Sequence, residues 1–203
     1  YLKAERLAAI GQLAGMVGHD LRNPLAGIKN AVYLLRKKQG SFIGEEGLRM
    51  LNTICSAVDH ADSIINDMLD YSREVHLEVE EYSSKSLINY VILGLRVPSN
   101  VRMLERTEDH LLWIDANKVQ RVFINLLKNS FDAMPNGGQL EISSRLNGDF
   151  VDFVFEDTGT GMSEEVLSKL FTPLFTTKAQ GMGLGLSICK RMIEAHGGTV
   201  SVQ

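Results

Sequence analysis

The chain has 203 residues, of which 44% are apolar and 23% charged, and its formal net charge at pH 7 is −4. This length supports one large hydrophobic core or two modest ones, at roughly 100–150 residues per domain. The slightly acidic balance argues against a nucleic-acid-binding protein, which needs a concentrated basic surface, and we expect no nucleic-acid partner.

Cysteine content and hydropathy set the expected environment. Cys55 and Cys189 both lie in apolar helical patterns, which favours buried, reduced thiols over a disulfide or a metal site, and a cytoplasmic location is expected. No apolar run reaches the roughly 18–20 residues that a bilayer-spanning helix needs, so we expect no membrane contact from these residues. Because the chain starts at Tyr1 rather than Met, we expect it to be a piece of a longer protein that is free to carry a membrane anchor elsewhere.

The first 72 residues have the pattern of a helical hairpin. Apolar residues recur at three- and four-residue steps over Leu2–Leu35 and again over Leu48–Leu69, which indicates two amphipathic helices. Gly40, Ser41 and Gly44 supply the turn between them. Two helices with a narrow apolar stripe cannot bury it alone, so we expect a homodimer that forms a four-helix bundle through residues 1–72.

Residues 73–203 mix short alternating segments with helical ones. Strands are predicted over 77–80, 101–104, 111–114, 139–145 and 150–156, with another beginning at Thr199; helices are predicted over 84–95, 115–133, 163–170 and 184–196. Without a regular βαβ alternation this order predicts an α+β sandwich, in which one mixed sheet is covered by helices on one face. The chain ends as the last strand begins, so we expect the sheet to lack its C-terminal strand.

The segment His19-Asp20-Leu21-Arg22-Asn23-Pro24 lies within the first helical pattern. A neutral imidazole is a good nucleophile near pH 7, and the adjacent Asp20 carboxylate can hold its tautomer and accept its proton. Asn23 lies one helical turn beyond His19. Pro24 removes a backbone hydrogen bond and is expected to kink the helix just past His19. A lone helical histidine is more often a solvated side chain, so both interpretations stay open for this segment alone.

A second polar group lies on the helix predicted over residues 115–133. Asn125, Asn129 and Asp132 follow one another at four- and three-residue steps and therefore share a face. Asparagine has a low helix propensity, so two on one face of an otherwise apolar helix reduce its stability. A solvated helix surface is one interpretation, but the surrounding apolar residues favour a ligand or a metal-bridged phosphate.

Three loop segments complete the set. Asp157-Thr-Gly-Thr-Gly161 follows a predicted strand, where a carboxylate can accept hydrogen bonds from an amine while bare backbone approaches a flat ring. Gly181-Met-Gly-Leu-Gly-Leu186 leads into a helix and can cradle phosphate with free N–H groups. Phe171–Lys178 lies between them with the composition of a mobile cover. Alone, the first is more often a tight turn and the second a flexible linker.

Together, and in this order, the five segments resemble the motifs of the sensor histidine kinase family. The matching motifs are the H box at His19–Pro24, the N box at Asn125–Asp132, the first glycine box at Asp157–Gly161, the F box at Phe171–Lys178 and the second glycine box at Gly181–Leu186. The resemblance extends over nearly the whole chain, and the conjunction of motifs is specific even where a single motif is not.

This resemblance implies a dimerisation and histidine phosphotransfer domain over residues 1–72 and a Bergerat-type ATP-binding domain over residues 73–203. Asp157 is expected to contact the adenine amino group, and Asn125 and Asn129 to hold the Mg²⁺ bound to the phosphates. The full set expected to bind the nucleotide is Asn125, Asn129, Asp132, Asp157, Gly159, Gly161, Phe171, Thr177, Lys178, Gly181, Gly183, Leu184 and Gly185.

The implied activity is that of a protein-histidine kinase. The imidazole of His19 attacks the γ-phosphate of MgATP, with Asp20 as orienting group and base. The phosphoryl group then passes to an aspartate in the receiver domain of a response regulator. Asn23 resembles the position that places a water for dephosphorylating that partner, so a phosphatase activity is implied as well.

Two other interpretations compete with the kinase. An ATP-hydrolysing clamp or chaperone uses the same ATP-binding fold but carries a glutamate where this chain has Asn125, and asparagine cannot act as the base for water. A dimeric module that binds ATP without catalysis would have lost one of the reactive groups. His19, Asp20, Asn129 and Asp157 are all present, which favours the kinase.

Overall fold

The computed structural model describes residues 2–39, 42–178 and 181–203, without the side chains of residues 2–17, 19 and 39. The chain divides into two compact units, which we describe separately. The first contains residues up to Glu74, and the segment that ends at Leu184 is grouped with it; the second contains Val75 onwards and Gly185–Gln203. Across the described residues, no helix combines the length and the apolar character needed to cross a bilayer.

The first unit is a helical hairpin. Helix α1 spans Leu2–Gln39 and continues through Pro24, and helix α2 spans Glu45–Ser72. Apolar side chains are buried between the two helices. They are Val32 on α1 and, at intervals of seven and four residues on α2, Leu51, Val58, Ile65 and Leu69. The two predicted helices are therefore confirmed, whereas the kink at Pro24 stays a prediction.

Polar contacts show that the two helices run antiparallel. Arg22 Nη2 donates to Asn66 Oδ1 at 2.5 Å, and Lys29 Nζ donates to Asp59 Oδ1 at 2.7 Å. Arg36 bonds to Asn52 closer to the turn. Residues later in α1 thus meet residues earlier in α2, as an antiparallel hairpin requires. The Asp59 carboxylate raises the pKa of the Lys29 ammonium through a hydrogen bond and its opposite charge.

The second unit is an α/β domain. Its elements in chain order are β1 (Glu80–Ser83), α3 (Ser84–Gly94), β2 (Val101–Arg106), β3 (Leu111–Ile114), α4 (Ala116–Ala133), β4 (Gly138–Asn147), β5 (Phe150–Asp157), α5 (Glu164–Lys169) and α6 (Gly185–Ala195). Strand β4 pairs with β2 in parallel and with β5 antiparallel, which makes a mixed sheet. Strands β1 and β3 form a separate antiparallel pair.

One face of the mixed sheet is covered by α4. Leu140, Ile142 and Ser144 alternate along β4 and are all buried. Their partners on β5 include Phe153 and Phe155, and directly paired residues point to the same face. The ring of Phe123 in α4 lies 4.9 Å from the ring of Phe153 and 5.0 Å from that of Phe155, measured between centroids. The predicted α+β sandwich is confirmed.

Three details of the predicted sheet are wrong. Where one sheet was predicted, the described residues form two separate sheets, one of two strands and one of three. The strand predicted over 77–80 begins only at Glu80, because β3 is four residues long and pairs with Glu80–Ser83 alone. The N–H of Glu78 donates instead to Asp115 Oδ2 at 3.1 Å. The chain from Thr199 to Gln203 forms no strand, because alternation yields a strand only where backbone groups pair with a neighbour.

Helix α4 begins at a buried carboxylate. Asp115 is the N-cap, and its Oδ1 accepts from the N–H of Lys118 at 3.1 Å. The N–H of Asp115 donates at 3.0 Å to Nε2 of His196, whose Nδ1 lies 2.7 Å from the carbonyl oxygen of Met192. Because Nε2 accepts, Nδ1 carries the proton and donates to Met192. This histidine thus joins the end of α6 to the start of α4.

Candidate functional site

A polar stripe on α4 forms the centre of the candidate site. Asn125 and Asn129 are half-buried and Asp132 is exposed, and the amide Nδ2 of Asn129 donates to Asn125 Oδ1 at 3.0 Å. On the opposite face of the helix, Phe123 and Leu127 enter the core. The amphipathic pattern of α4 therefore fixes which way the three polar side chains point.

Lys178, 46 residues beyond Asp132 in the sequence, contacts this polar stripe. Its ammonium Nζ donates to Asn129 Oδ1 and to Asp132 Oδ2, at 2.7 Å in both cases. The Lys178 side chain is 42% exposed, so the ion pair is partly screened by solvent. The sequence predicted that all three residues bind one ligand but gave no sign of this direct contact.

Amide and carboxylate oxygens are ligands that a hard divalent cation prefers. Asn129 Oδ1 and Asp132 Oδ2 already accept from a cation, the Lys178 ammonium, so their geometry suits positive charge. In the part of the chain that the structure describes, no group of three or more His, Cys, Asp or Glu side chains could hold a metal ion. The residues present thus fit Mg²⁺ held by a few side-chain oxygens together with oxygens of a bound phosphate.

Gly185, the first residue of α6, lies against Asn125. A Cβ atom at this position would come within 2.5 Å of Asn125 Nδ2. A side chain at Gly185 would therefore displace the Asn125 amide, and the bare backbone at this helix start is of a kind that suits a phosphate. The second-glycine-box residues Gly181 and Gly183 have φ values of 142° and 66°, a region that side-chain-bearing residues rarely adopt. Leu184 is buried.

Asp157 ends β5 on the face of the sheet that α4 covers. It pairs directly with Leu140, which is fully buried, and is itself half-buried. Its Oδ1 accepts from the N–H of Gly159 at 3.0 Å, which holds the carboxylate in one orientation and leaves lone pairs available for a ligand. No side chain fits at Gly159, because a Cβ there would lie 2.7 Å from Ala133 Cβ. Gly161 has a φ of 65°.

Thr158 anchors the turn after Asp157, a role that the sequence pattern did not predict. Its N–H donates to the carbonyl oxygen of Gln139 at 3.0 Å, and its Oγ1 accepts from the N–H of Gln139 at 2.9 Å. A Cβ at Gly138 would lie 2.7 Å from that same Oγ1. These contacts depend on how β4 and β5 align, so only the position of Thr158 within the motif hinted at a role.

The segment Phe171–Lys178 contains one strained residue and one aromatic anchor. Leu174 adopts a φ of 65°, the left-handed region that costs a branched side chain roughly 1–2 kcal/mol. Lys190 Nζ lies 5.4 Å from the ring centroid of Phe171, within cation–π range. Thr177 is exposed, and the neighbouring Thr176 Oγ1 accepts from the N–H of Lys178 at 3.1 Å.

In the helical hairpin, His19 lies within α1, but its side chain is outside the described residues. Asp20 and Asn23 are both exposed. Gly18 is buried, and a Cβ there would come within 3.0 Å of Ile65 Cγ2 and 3.3 Å of Leu69 Cδ1. The two helices thus approach closely one residue before His19, which fixes the backbone that carries the histidine.

Two family models match the chain. One describes the His Kinase A (phospho-acceptor) domain and matches residues 9–76. The other describes the histidine kinase-, DNA gyrase B- and HSP90-like ATPase and matches residues 114–203. The first falls on the helical hairpin, and the second covers α4, both glycine motifs and α6.

Known proteins are similar to this chain over more than half of its length. Sporulation kinase E of Bacillus subtilis (strain 168) is 31% identical over 207 residues, covering 99% of this chain and 28% of the relative. The crystallised catalytic domain of histidine kinase ThkA is 34% identical with a TM-score of 0.53, covering 58% of this chain and 81% of that one. Histidine kinase ThkA in complex with response regulator protein TrrA is 30% identical with a TM-score of 0.65, covering 96% and 57%.

With this fold, these motifs and these relatives, the chain belongs to the sensor histidine kinase family. It corresponds to the catalytic core of such a kinase, with the phosphoacceptor hairpin first and the ATPase-like domain second. The chain spans less than half the length of the curated relatives it matches, from 28% of sporulation kinase E to 48% of sporulation kinase B.

Proposed function

We propose that this chain transfers the γ-phosphoryl group of MgATP to His19. The observation that carries the proposal is the arrangement around α4. Asn125 and Asn129 lie on one face of the helix, Lys178 and Gly185 contact that face, and the turn after Asp157 packs on its last residue, Ala133. One helix is thus surrounded by a carboxylate that can accept from adenine, amide oxygens that can bind a cation, and backbone without side chains that can approach phosphate.

At the adenine end, the free lone pairs of Asp157 accept from the adenine amino group. The bond from the Gly159 N–H holds the carboxylate ready, and Gly159 and Gly161 let the backbone approach the ring. At the phosphate end, Asn125 and Asn129, with Asp132 beside them, would hold Mg²⁺, and the metal would supply positive charge to the phosphates. Gly181, Gly183, Leu184 and Gly185 line the phosphate path, and Phe171, Thr177 and Lys178 belong to the covering segment.

In the transfer step, a ring nitrogen of His19 attacks the γ-phosphorus in line with the bond to the β-phosphate oxygen. A P–N bond forms, the P–O bond breaks and ADP leaves. Asp20 holds the ring tautomer and takes the proton that the imidazole releases. Water is a poor competitor because Asn125 stands where hydrolytic relatives carry a glutamate, and an amide cannot accept the proton of an attacking water.

The phosphohistidine then passes its phosphoryl group to an aspartate of a response-regulator receiver domain. The ThkA relative was crystallised in complex with a response regulator protein, which supports a partner of this class. Asn23 is exposed one turn beyond His19, a position from which its amide can hold a water for dephosphorylating the regulator. The same part of α1 thereby both transfers the phosphoryl group to the response regulator and helps to remove it.

Residues 1–72 serve as the dimerisation and phosphotransfer domain, and residues 73–203 as the ATP-binding domain. The partner of the hairpin is a second copy of this chain. Leu21, Ile28 and Leu35 recur every seven residues along α1 and are 46%, 44% and 43% exposed. A heptad stripe left open by one hairpin is what a four-helix bundle covers.

Labelling with γ-³²P ATP tests the proposal. The wild type with Mg²⁺ should acquire protein-bound label that is labile in acid and stable in alkali, and EDTA should abolish it. His19→Gln should lose the label entirely. His60→Gln is the matched control, since His60 is an exposed histidine on α2, and it should label like the wild type. Release of free phosphate without protein label would instead establish an ATP hydrolase.

A further inference from the structure

The ion pair between Lys178 and α4 occupies a place where the proposed reaction needs another cation. Lys178 Nζ lies 2.7 Å from Asn129 Oδ1 and 2.7 Å from Asp132 Oδ2. These oxygens belong to the face of α4 to which we assign Mg²⁺. One carboxylate and one amide oxygen cannot fully coordinate both an ammonium and a metal ion, because the two cations repel each other at such distances.

We propose that Lys178 is an internal counter-cation, which holds the metal-binding oxygens while no nucleotide is bound and is displaced when the metal–nucleotide complex enters. The inference rests on the proposed function, since it concerns the same oxygens. It makes Lys178 a competitor of the metal on Asn129 and Asp132, rather than one more phosphate ligand that acts together with the metal.

The geometry suits a displaceable cation. The Lys178 side chain is 42% exposed, so water can solvate the ammonium as it leaves. Its backbone is held separately, by the bond from the Lys178 N–H to Thr176 Oγ1 at 3.1 Å. While Lys178 is in place, its ammonium neutralises the negative charge of Asp132, which faces the proposed phosphate path. Neutralising that charge removes a repulsion that an arriving anion would otherwise meet.

The deciding experiment measures Mn²⁺ binding to the nucleotide-free protein by electron paramagnetic resonance of the free ion. Lys178→Met removes the competing charge and should tighten Mn²⁺ binding by about tenfold, an effect moderated by solvent exposure. Lys178→Gln should show the same gain, which guards against a fault peculiar to one variant. Lys169→Met is the matched control, because Lys169 pairs with Glu165 at 2.8 Å elsewhere on the same unit, and its Mn²⁺ affinity should equal that of the wild type.

Calorimetry with a non-hydrolysable ATP analogue supplies a second readout. The ratio of affinities with Mg²⁺ and with EDTA should rise about tenfold in Lys178→Met, because the metal no longer has to expel an ammonium and the metal-free anion faces a bare Asp132. Mn²⁺ binding that is equally weak in wild type and variant overturns the inference. So does an analogue affinity that falls by the same factor in both buffers. A failure to label His19 would refute the proposed function, and the Mn²⁺ comparison would still decide the role of Lys178.

Discussion

Two glycines around α4 have no room for a side chain, and they differ in what stands in the way. At Gly159 the obstacle includes the carbonyl oxygen of Ala133, 2.7 Å from where a Cβ would lie, and backbone cannot move aside cheaply. At Gly185 the obstacle is Nδ2 of Asn125, at 2.5 Å, which is the end of a side chain that can rotate. A methyl group at Gly159 therefore strains the fold, whereas one at Gly185 displaces a proposed metal ligand.

We expect Gly185→Ala to weaken binding of an ATP analogue in Mg²⁺ by at least about tenfold while the melting temperature changes by only a few degrees. The displaced Asn125 amide accounts for the binding loss, because its oxygen is moved away from the proposed metal site. Calorimetric titration and thermal unfolding measure the two effects. Gly94→Ala is the control, since a Cβ there meets nothing within 4 Å, and it should bind normally. Normal binding by Gly185→Ala would contradict the role of Asn125.

At the scale of the element, α4 depends on the buried carboxylate at its start. Burial alone would raise the pKa of Asp115, but hydrogen bonds from Lys118 and from the Glu78 N–H outweigh it and lower the pKa below its ordinary 3.8. The pKa of Glu105 is lowered in the same way, against burial, by hydrogen bonds from Thr107 and Lys85. A folded state that binds its protons less readily than the unfolded one loses stability as the pH falls.

Asp115→Asn should therefore lower the free energy of unfolding at pH 7 by roughly 1–3 kcal/mol. Asparagine keeps the cap, but its amide nitrogen replaces the Oδ2 that accepts from the Lys118 ammonium and from the Glu78 N–H. The difference from the wild type should shrink as the pH falls through the lowered pKa of Asp115, below about 4, because the wild-type carboxylate is then protonated as well. Urea unfolding at several pH values measures both. Asp149→Asn, in the exposed turn between β4 and β5, should follow the wild-type curve. A gap that stays constant with pH would contradict this account of α4.

At the scale of the whole molecule, the described part of α1 carries apolar side chains that stay partly exposed in the hairpin. The heptad stripe of Leu21, Ile28 and Leu35 remains more than two-fifths exposed. Burying the exposed 44% of Ile28 would stabilise an assembly by roughly 1 kcal/mol, and each such residue counts twice in a symmetric dimer.

Ile28→Glu should convert the proposed dimer into a monomer at micromolar concentration, because it places two like charges in the bundle core. Sedimentation velocity measures the mass, and circular dichroism should show retained helix, since Ile28 lies outside the intrachain core. Asn30→Glu adds the same charge at another exposed position of α1 and should remain dimeric. A wild-type chain that sediments as a monomer would exclude the bundle.

Helix α4 and the motif residues were predictable from local pattern. The Asp115 cap follows from the residue type, the end of the helix at Ala133 from the Pro-Asn-Gly-Gly stretch at 135–138, and the shared face of Asn125 and Asn129 from their four-residue spacing. The pairing of the strands was harder to predict from the sequence. The extent of β1 and the division into two sheets depend on which backbone groups meet, and residues far apart in the sequence decide that.

By itself, the sequence determined the family, the order of the two units and the residues that form each motif, because those properties reside in local spacing and side-chain chemistry. Only the tertiary structure decided that Lys178 lies on Asn129 and Asp132, that Thr158 pins the turn after Asp157 to β4, and that His196 holds the start of α4. Each of these contacts joins residues at least 19 positions apart, up to 81 for His196 and Asp115. No periodicity encodes such distances, which arise when helices and strands pack around a common core.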